Sequence, residues 1–428
     1  MFGLLEGPSA PPPATFDELA AAAGIRSGAS QECPALAFAR SGAMWLTGTA
    51  SPAPIDVPLL ANLQALCDGI EALSGGLGRA VRLDPATILT QRAADRGFRR
   101  QGRRSANGTC RLLPGLDGWL ACNLARPSDL ELLPAILGGH SGDDPWEALA
   151  AAAASAPVAE LVARAQLVGV AAAQLDDRPP ARFGPPVRFV RLGPPGNLGR
   201  PPRVLDFSAL WAGPLCAHVL GQSGALVWTA EDRARPDGAR LGDPRLYHRL
   251  HQGHRLVRVD FASSQGRSTL AGLLEGADVV VESSRPRALA ALGLTPEQFL
   301  SAAPGRVWIS VTGYGRRGDR SNHVAFGDDA AVAGGLVAWE QGQPVFCADA
   351  VGDPVSGLVA AIGGLLALAA GGGLLVDVSM RDACAAARSG PRCPTDHPVE
   401  PDGRGGWVVA HRELAERVMP PDEVRRGG

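Results

Sequence analysis

From Val204 onward the chain carries short apolar or β-branched runs, RVLDFS, ALVWTAE, RLVRVDF, ADVVVESS and RVWISVTG, separated by helical or glycine-rich stretches. Strand-length runs alternating with such connections predict a parallel sheet flanked by helices. In sheets of this kind ligands bind beyond the carboxyl ends of the strands. That directs attention to Asp206-Phe207-Ser208, Glu231, Glu282-Ser283-Ser284 and Thr312-Gly313.

The earlier half has a different rhythm. PIDVPLLANLQALCDGIEALSGGL has helical apolar spacing, and GWLACNLA is strand-like between the loops Leu116-Asp-Gly and Arg126-Pro-Ser. The Ala-rich stretch from Trp146 reads as helix, broken near Ala156-Pro157 and closing on a glycine suited to a C-cap. A chain of 428 residues exceeds one ordinary core. The expected division is a Pro-rich leader over 1–14, a helical half with a small sheet over 15–176, a Pro/Gly/Arg-rich linker over 177–203, a doubly wound α/β domain over 204–387 and an extension over 388–428.

Ser356 to Val376 is uncharged over about the length that spans a bilayer. Gly371-Gly-Gly divides it into an Ala/Leu helix and a strand-like LLVDVS, and no aromatic belt flanks it, so a buried core helix is the expectation.

Composition removes several classes of chemistry. The chain has no lysine, so all 41 basic residues are arginine, against 43 acidic ones. Schiff-base lysine chemistry, pyridoxal phosphate enzymes and P-loop NTPases are excluded. A net charge of -2 gives nucleic acid no general attraction. The 8 cysteines are scattered without a CxxC pair or histidines at zinc-ligand spacing, so neither a disulfide framework nor a metal site is expected. The first residues, MFGLLEGPSAPPPATFDE, show no signal-peptide pattern, and the expected location is the cytoplasm, with no membrane partner.

Val204 to Glu231, VLDFSALWAGPLCAHVLGQSGALVWTAE, resembles the opening of family III CoA-transferases, the group of the formyl-CoA and carnitine CoA-transferases. It is followed in the family's order by His254-Arg255 with VRVDF, by ADVVVESSRPRALAALGL, by RVWISVTGYG, by FGDDAAVAGGL, by Gly352-Asp353-Pro-Val-Ser-Gly357 and by VDVSMRDA. The resemblance implies a Rossmann-like, doubly wound CoA-binding domain with a smaller α+β domain. It also implies a possible homodimer, acyl-CoA and a carboxylic acid as substrates, and no prosthetic group. Asp353 aligns with the family's nucleophile. Contacts to CoA fall on Trp211, Ala212, Gly213, Arg233, His254, Arg255, Ser283 and Ser284. Three of these places depart from the family: Trp211 stands where a polar residue is usual, Ser283-Ser284 where an Asn-Phe pair is usual, and His254 where a basic residue is usual.

The first half is similar to family segments in an unusual order. SGAMWLTG, Ser41 to Gly48, can be laid over AGGLVAWEQG, Ala333 to Gly342, and DGWLACNLARPSDLELL resembles part of the family's smaller domain, so the halves look permuted or fused. Were both copies catalytic, an acid should lie within 57–67; none does, although Asp56 and Asp68 stand just outside.

Local sequence alone makes Asp353 a helix N-cap, a role worth about 1 kcal/mol. A carboxylate is also a competent nucleophile toward a thioester, and glycine-flanked backbone offers N–H groups to a developing oxyanion. The rival acid/base set is Asp328 and Asp329 with His323, which would suit α-proton chemistry as in the related acyl-CoA racemases or isomerases. A third reading is a catalytically degenerate acyl-CoA-binding protein.

Overall fold

The computed structural model describes residues 15–25, 32–139, 143–393 and 396–424, and the Pro-rich leader lies outside them. Four helices come first: α1 (Phe16–Ala22), α2 (Pro34–Arg40), α3 (Leu59–Gly75) and α4 (Pro85–Arg96). Helix α4 is capped at both ends, with Asp84 accepting from Ala86 and Thr87 N–H and proline at its first turn, and it stops on the left-handed Gly97. Next come strands β1 (Cys110–Gly115) and β2 (Gly118–Asn123), helices α5 (Pro145–Ser155) and α6 (Val158–Val168), and β3 (Ala171–Gln174). The three strands form an antiparallel sheet in the order β1-β2-β3. It shares a small core with α5 and α6 built on Leu120, Leu149, Val158 and Leu161.

The large sheet contains β4 (Val187–Arg191), β5 (Arg203–Asp206), β6 (Leu226–Asp232), β7 (Arg255–Val259), β8 (Val279–Glu282), β9 (Val307–Thr312) and β12 (Leu374–Ser379). Helix α7 (Ala212–Gln222) connects β5 to β6. Between β9 and β12 lie α8 (Gly327–Ala333), a hairpin of β10 (Val337–Glu340) and β11 (Gln343–Phe346), and α9 (Gly352–Ala369). The order is β4-β12-β9-β8-β5-β6-β7, all parallel except the edge strand β4. Successive strands run outward from β5 in both directions, which is the doubly wound α/β architecture expected, and the switch point falls between β5 and β8.

The apolar runs are continuous because both faces of the sheet are covered. Val279, Val281, Val307 and Ile309 face the core containing α3, α7 and α9, whereas Val280 and Trp308 face the opposite core with Phe299 and Leu300. Helix α9 is the described helix long and apolar enough to cross a bilayer, yet it is packed inside the fold against α3, α7, β9 and β12. Its glycines make that approach possible: a Cβ on Gly364 would lie 2.5 Å from Ile309 Cδ1, and one on Gly363 would lie 2.8 Å from Val376 Cγ1.

The expected boundaries need correction. Residues 177–203 are not a simple linker, because Val187–Arg191 pairs with β12 as the sheet's antiparallel edge. Residues 15–176 do not form one half either. Phe16, Leu36, Leu63, Ile70 and Leu89 belong to the same core as the large sheet, and only the region from β1 to β3 has a core of its own. The cause is α9, whose apolar surface is wide enough to need both α7 and α3 as cover.

After β12, α10 (Met380–Ala386) leads to a small antiparallel sheet of β13 (Val399–Pro401), β14 (Trp407–His411) and β15 (Leu414–Arg417), then to α11 (Pro421–Val424). The sheet packs on α2 and α11 packs on α4, so the extension folds back on the N-terminal helices.

Candidate active site

At the carboxyl ends of β5, β6 and β8 lies a cavity of about 1010 Å³. One wall is the strand-end loops of the doubly wound sheet, with Ser208, Trp211, Glu231 and Ser284. The opposite wall comes from the first half, through Arg92 and Arg96 of α4 and through Asn107, Asn123 and Arg126 around the small sheet. Asp328 and Asp353 line it between the two.

Asp353 stands in the first turn of α9, where its charge meets the positive end of an 18-residue helix. It is partly exposed, toward the cavity, and the surrounding protein pushes its carboxyl up to about 7. Burial is the main cause and nearby Asp349 adds to it, while the Arg92 guanidinium and a hydrogen bond from Gly327 N–H act in the opposite direction. Gly327 cannot be larger, since a Cβ there would lie 2.6 Å from Asp353 Oδ2 and 2.3 Å from Ala350 O. The bare backbone lets an amide point at the carboxylate.

Three further acids surround this position. Asp328 accepts from Ala350 N–H at 3.1 Å and from Asn107 Nδ2 at 3.4 Å. Asp329 accepts from Phe326 N–H at 3.0 Å and Asn123 Nδ2 at 3.1 Å, capping α8. Burial, the largest cause for both, raises Asp328 to about 8 and Asp329 to about 7. Asp349, fully buried, meets Arg92 Nη1 at 3.4 Å. It sits on a turn where Ala348 and Ala350 have φ of 56° and 45°, a left-handed backbone that non-glycine residues adopt at a cost.

Arg92 is the cation on which these acids converge. Its Nε lies 3.3 Å from Asp243 Oδ2, and its guanidinium stacks 5.4 Å from the Trp211 ring and 5.5 Å from Phe98. Trp211, expected to contact CoA, therefore lines the cavity and also offers its ring to the arginine's cation. Neither Arg92 nor Asp349 was indicated by a motif. The detectable signals were an Asp-Pro helix start ahead of Arg92 and the paired alanines around Asp349, and neither specifies chemistry.

The expected CoA contacts separate into two groups. Trp211 and Ser284 line the cavity; Ala212 and Gly213 lie behind it, with Gly213 against Ser208; Ser283 accepts from Ala209 N–H at 3.2 Å and so shapes the rim. His254 and Arg255 fall elsewhere. They open β7, at the amino end of the sheet, where His254 Nδ1 meets Thr229 Oγ1 at 3.2 Å and Arg255 lies over the Trp228 ring. Arg233 is exposed and bonds Arg258 O at 3.2 Å, while its neighbour Arg235 lines the cavity. The basic groups facing the cavity are thus Arg92, Arg96, Arg126 and Arg235. His323 packs on Tyr314 with ring centroids 5.5 Å apart and does not line the cavity, which parts it from Asp328.

The other strand-end acids are occupied. Glu231 accepts from Asp237 N–H at 2.6 Å and pairs with Arg240, and Glu282 accepts from Trp308 Nε1, Ser310 Oγ, Ser284 Oγ and Arg316. In the first half, Asp56 pairs with Arg392 and Asp68 accepts from Gln64, and neither reaches the cavity. The fold also brings Cys33, Cys393, His397 and His411 together, so that one atom of metal-ligand type from each lies within 4.8 Å of the others, a grouping that linear spacing does not suggest.

The profile of the family described as CoA-transferase family III matches residues 202–397. Succinyl-CoA–D-citramalate CoA-transferase of Chloroflexus aurantiacus is 29% identical over 201 residues, covering 42% of this chain and 50% of that protein. Formyl-CoA:oxalate CoA-transferase of Escherichia coli is 29% identical over 196 residues, covering 42% and 47%. The chain spans about half the length of these curated relatives. A hypothetical protein from Mycobacterium tuberculosis superposes with a TM-score of 0.44 at 25% identity, over 52% of this chain and 66% of that one. A CAIB/BAIF family protein from Brucella suis gives 0.43 at 21%, over 50% and 66%. The matched residues, 202–397, hold the large sheet apart from β4 together with Asp353, and it is this part of the chain that is similar to family III CoA-transferases.

Proposed function

We propose that the chain transfers coenzyme A between an acyl-CoA and a carboxylic acid, with Asp353 as the nucleophile. The observation that carries this reading is the carboxylate itself: it opens on the cavity from a helix N-terminus, receives the Gly327 N–H, and lies within the family-matched region.

The steps balance without an external reagent. The ionised Asp353 oxygen attacks the thioester carbonyl, the C–S bond breaks, and an aspartyl–acyl anhydride and CoA thiolate result. The thiolate then attacks the aspartyl carbonyl and releases the first acid as its carboxylate, leaving an aspartyl–CoA thioester. The acceptor carboxylate repeats the sequence in reverse and departs as the new acyl-CoA. Arg92 keeps Asp353 more ionised than burial alone would allow, and it is not itself a proton donor at neutral pH. Arg96, Arg126 and Arg235 are the cavity cations available to CoA phosphates, and the cavity is large enough to admit an extended ligand.

The deciding experiment is incubation of the protein with acyl-CoA followed by hydroxylamine and peptide mass analysis. A hydroxamate on the peptide containing Asp353, lost in Asp353→Asn together with exchange of labelled acid into acyl-CoA, is the expected result. Exchange persisting in Asp353→Asn would remove Asp353 as the nucleophile. Exchange of the α-proton with deuterated water, without a trapped intermediate, would instead place the chemistry on Asp328.

A further inference from the structure

We propose that Cys33, Cys393, His397 and His411 form a zinc site of the two-cysteine, two-histidine type, which fastens the C-terminal sheet to the N-terminal helices. Each residue can offer one ligand atom such that all four lie within 4.8 Å of one another. Cys33 Sγ is 3.1 Å from His397 Nε2, and Cys393 Sγ is 3.8 Å from His411 Nδ1. The two imidazoles lie face to face, with centroids 5.0 Å apart. Zinc bonds of about 2.3 Å to sulfur and about 2.0 Å to nitrogen, at tetrahedral angles, place sulfur about 3.5 Å from nitrogen. The two measured separations bracket that value.

The donor set selects the metal. Two thiolates and two imidazoles in a compact four-ligand group suit zinc, whereas calcium and magnesium need oxygen ligands. Three separate segments supply the donors: Cys33 immediately precedes α2, Cys393 and His397 lie ahead of β13, and His411 ends β14. Such convergence is unlike a chance surface pair. It also answers a structural need, because the C-terminal sheet has strands of only 3, 5 and 4 residues, and Val409 and Val418 are its buried apolar side chains among the described residues. A sheet with so little core gains from a metal staple. The consequence reaches the cavity, since α11 follows this sheet and packs on α4, the helix that carries Arg92.

The full chain, purified under reducing conditions from zinc-supplemented cells, should contain one zinc per chain by elemental analysis. Cys393→Ser and His397→Ala should each reduce this to trace amounts. Cobalt exchanged into the unmutated protein should give a tetrahedral d–d spectrum with thiolate-to-cobalt charge transfer, a readout independent of whether any variant folds. Chelation should lower Tm, and added zinc should restore it. The proposal is overturned by zinc content that survives both substitutions, by a cobalt spectrum without thiolate charge transfer, or by a Cys33–Cys393 disulfide persisting in the reduced protein.

Discussion

Arg92 meets Asp349 and Asp243 directly and acts on Asp328 and Asp353 across the cavity, so one guanidinium serves four carboxylates. It cannot neutralise them all, and the carboxyls that face the cavity rise toward neutrality. If Asp353 attacks as the carboxylate, transferase activity should climb as pH rises through about 7, the value to which the site pushes it. Replacing Arg92 by Met removes the attraction for the ionised form, which raises Asp353 further. The rising limb should therefore move to higher pH, activity at pH 7 should fall, and part of it should return in more alkaline buffer. A pH profile of kcat for Arg92→Met tests this, and an unmoved limb would mean that Arg92 does not tune the nucleophile. Ordered motifs single out Asp353 in the sequence, and the structure places it on the cavity. No motif singles out Arg92, since its role depends on α4 being folded across from α9.

At the scale of elements, the site is held by the crossing of α7 and α9. A Cβ on Gly357 would lie 2.8 Å from Ala212 O and 3.0 Å from Leu215 Cβ, and the first of these is backbone that cannot rotate away. Gly357→Ala should push the two helix starts apart, at a cost of about 1–3 kcal/mol for overpacking. Because Trp211 precedes one helix and Asp353 opens the other, activity should fall more steeply than the change in Tm alone explains. Urea unfolding and kinetics on the same variant separate the two effects; wild-type stability in Gly357→Ala would refute the close-packing account. The strands of this sheet were readable because burial on both faces leaves an unbroken apolar signature, as in Val279–Val281. Strand β4 was not, because RFVRL alternates weakly within Pro- and Gly-rich flanks and gains its partner only from β12. His254 and Arg255 lie away from the cavity for a related reason. Periodicity shows that a strand exists, but which of its ends meets the cavity follows from the sheet order.

For the whole molecule, the buried acids make stability depend on pH with a definite sign. Asp328, Asp329 and Asp353 are raised to about 8, about 7 and about 7, so each keeps a proton in the folded state that the unfolded chain has already released. Their contribution is complete below the ordinary carboxylate range and is lost as pH rises through 7 to 8. His218, His254 and His323 act in the opposite sense, being held below their ordinary value of 6.5 chiefly by burial, and their effect ends once the unfolded chain's histidines are neutral. Between the ordinary carboxylate range and their raised values each acid contributes a fall of at most about 1.4 kcal/mol per pH unit, which levels off above about 7 for Asp329 and Asp353 and above about 8 for Asp328. Asp329→Asn isolates one of them: Oδ1 keeps the Phe326 and Asn123 hydrogen bonds, and the amide nitrogen takes the place of Oδ2, which has no hydrogen-bond partner among the described residues. Urea unfolding between about pH 5 and about pH 8 should show the wild type losing stability and the variant losing less, so that the difference between them widens up to about pH 7 and then levels off. Parallel curves would mean that Asp329 is ionised throughout.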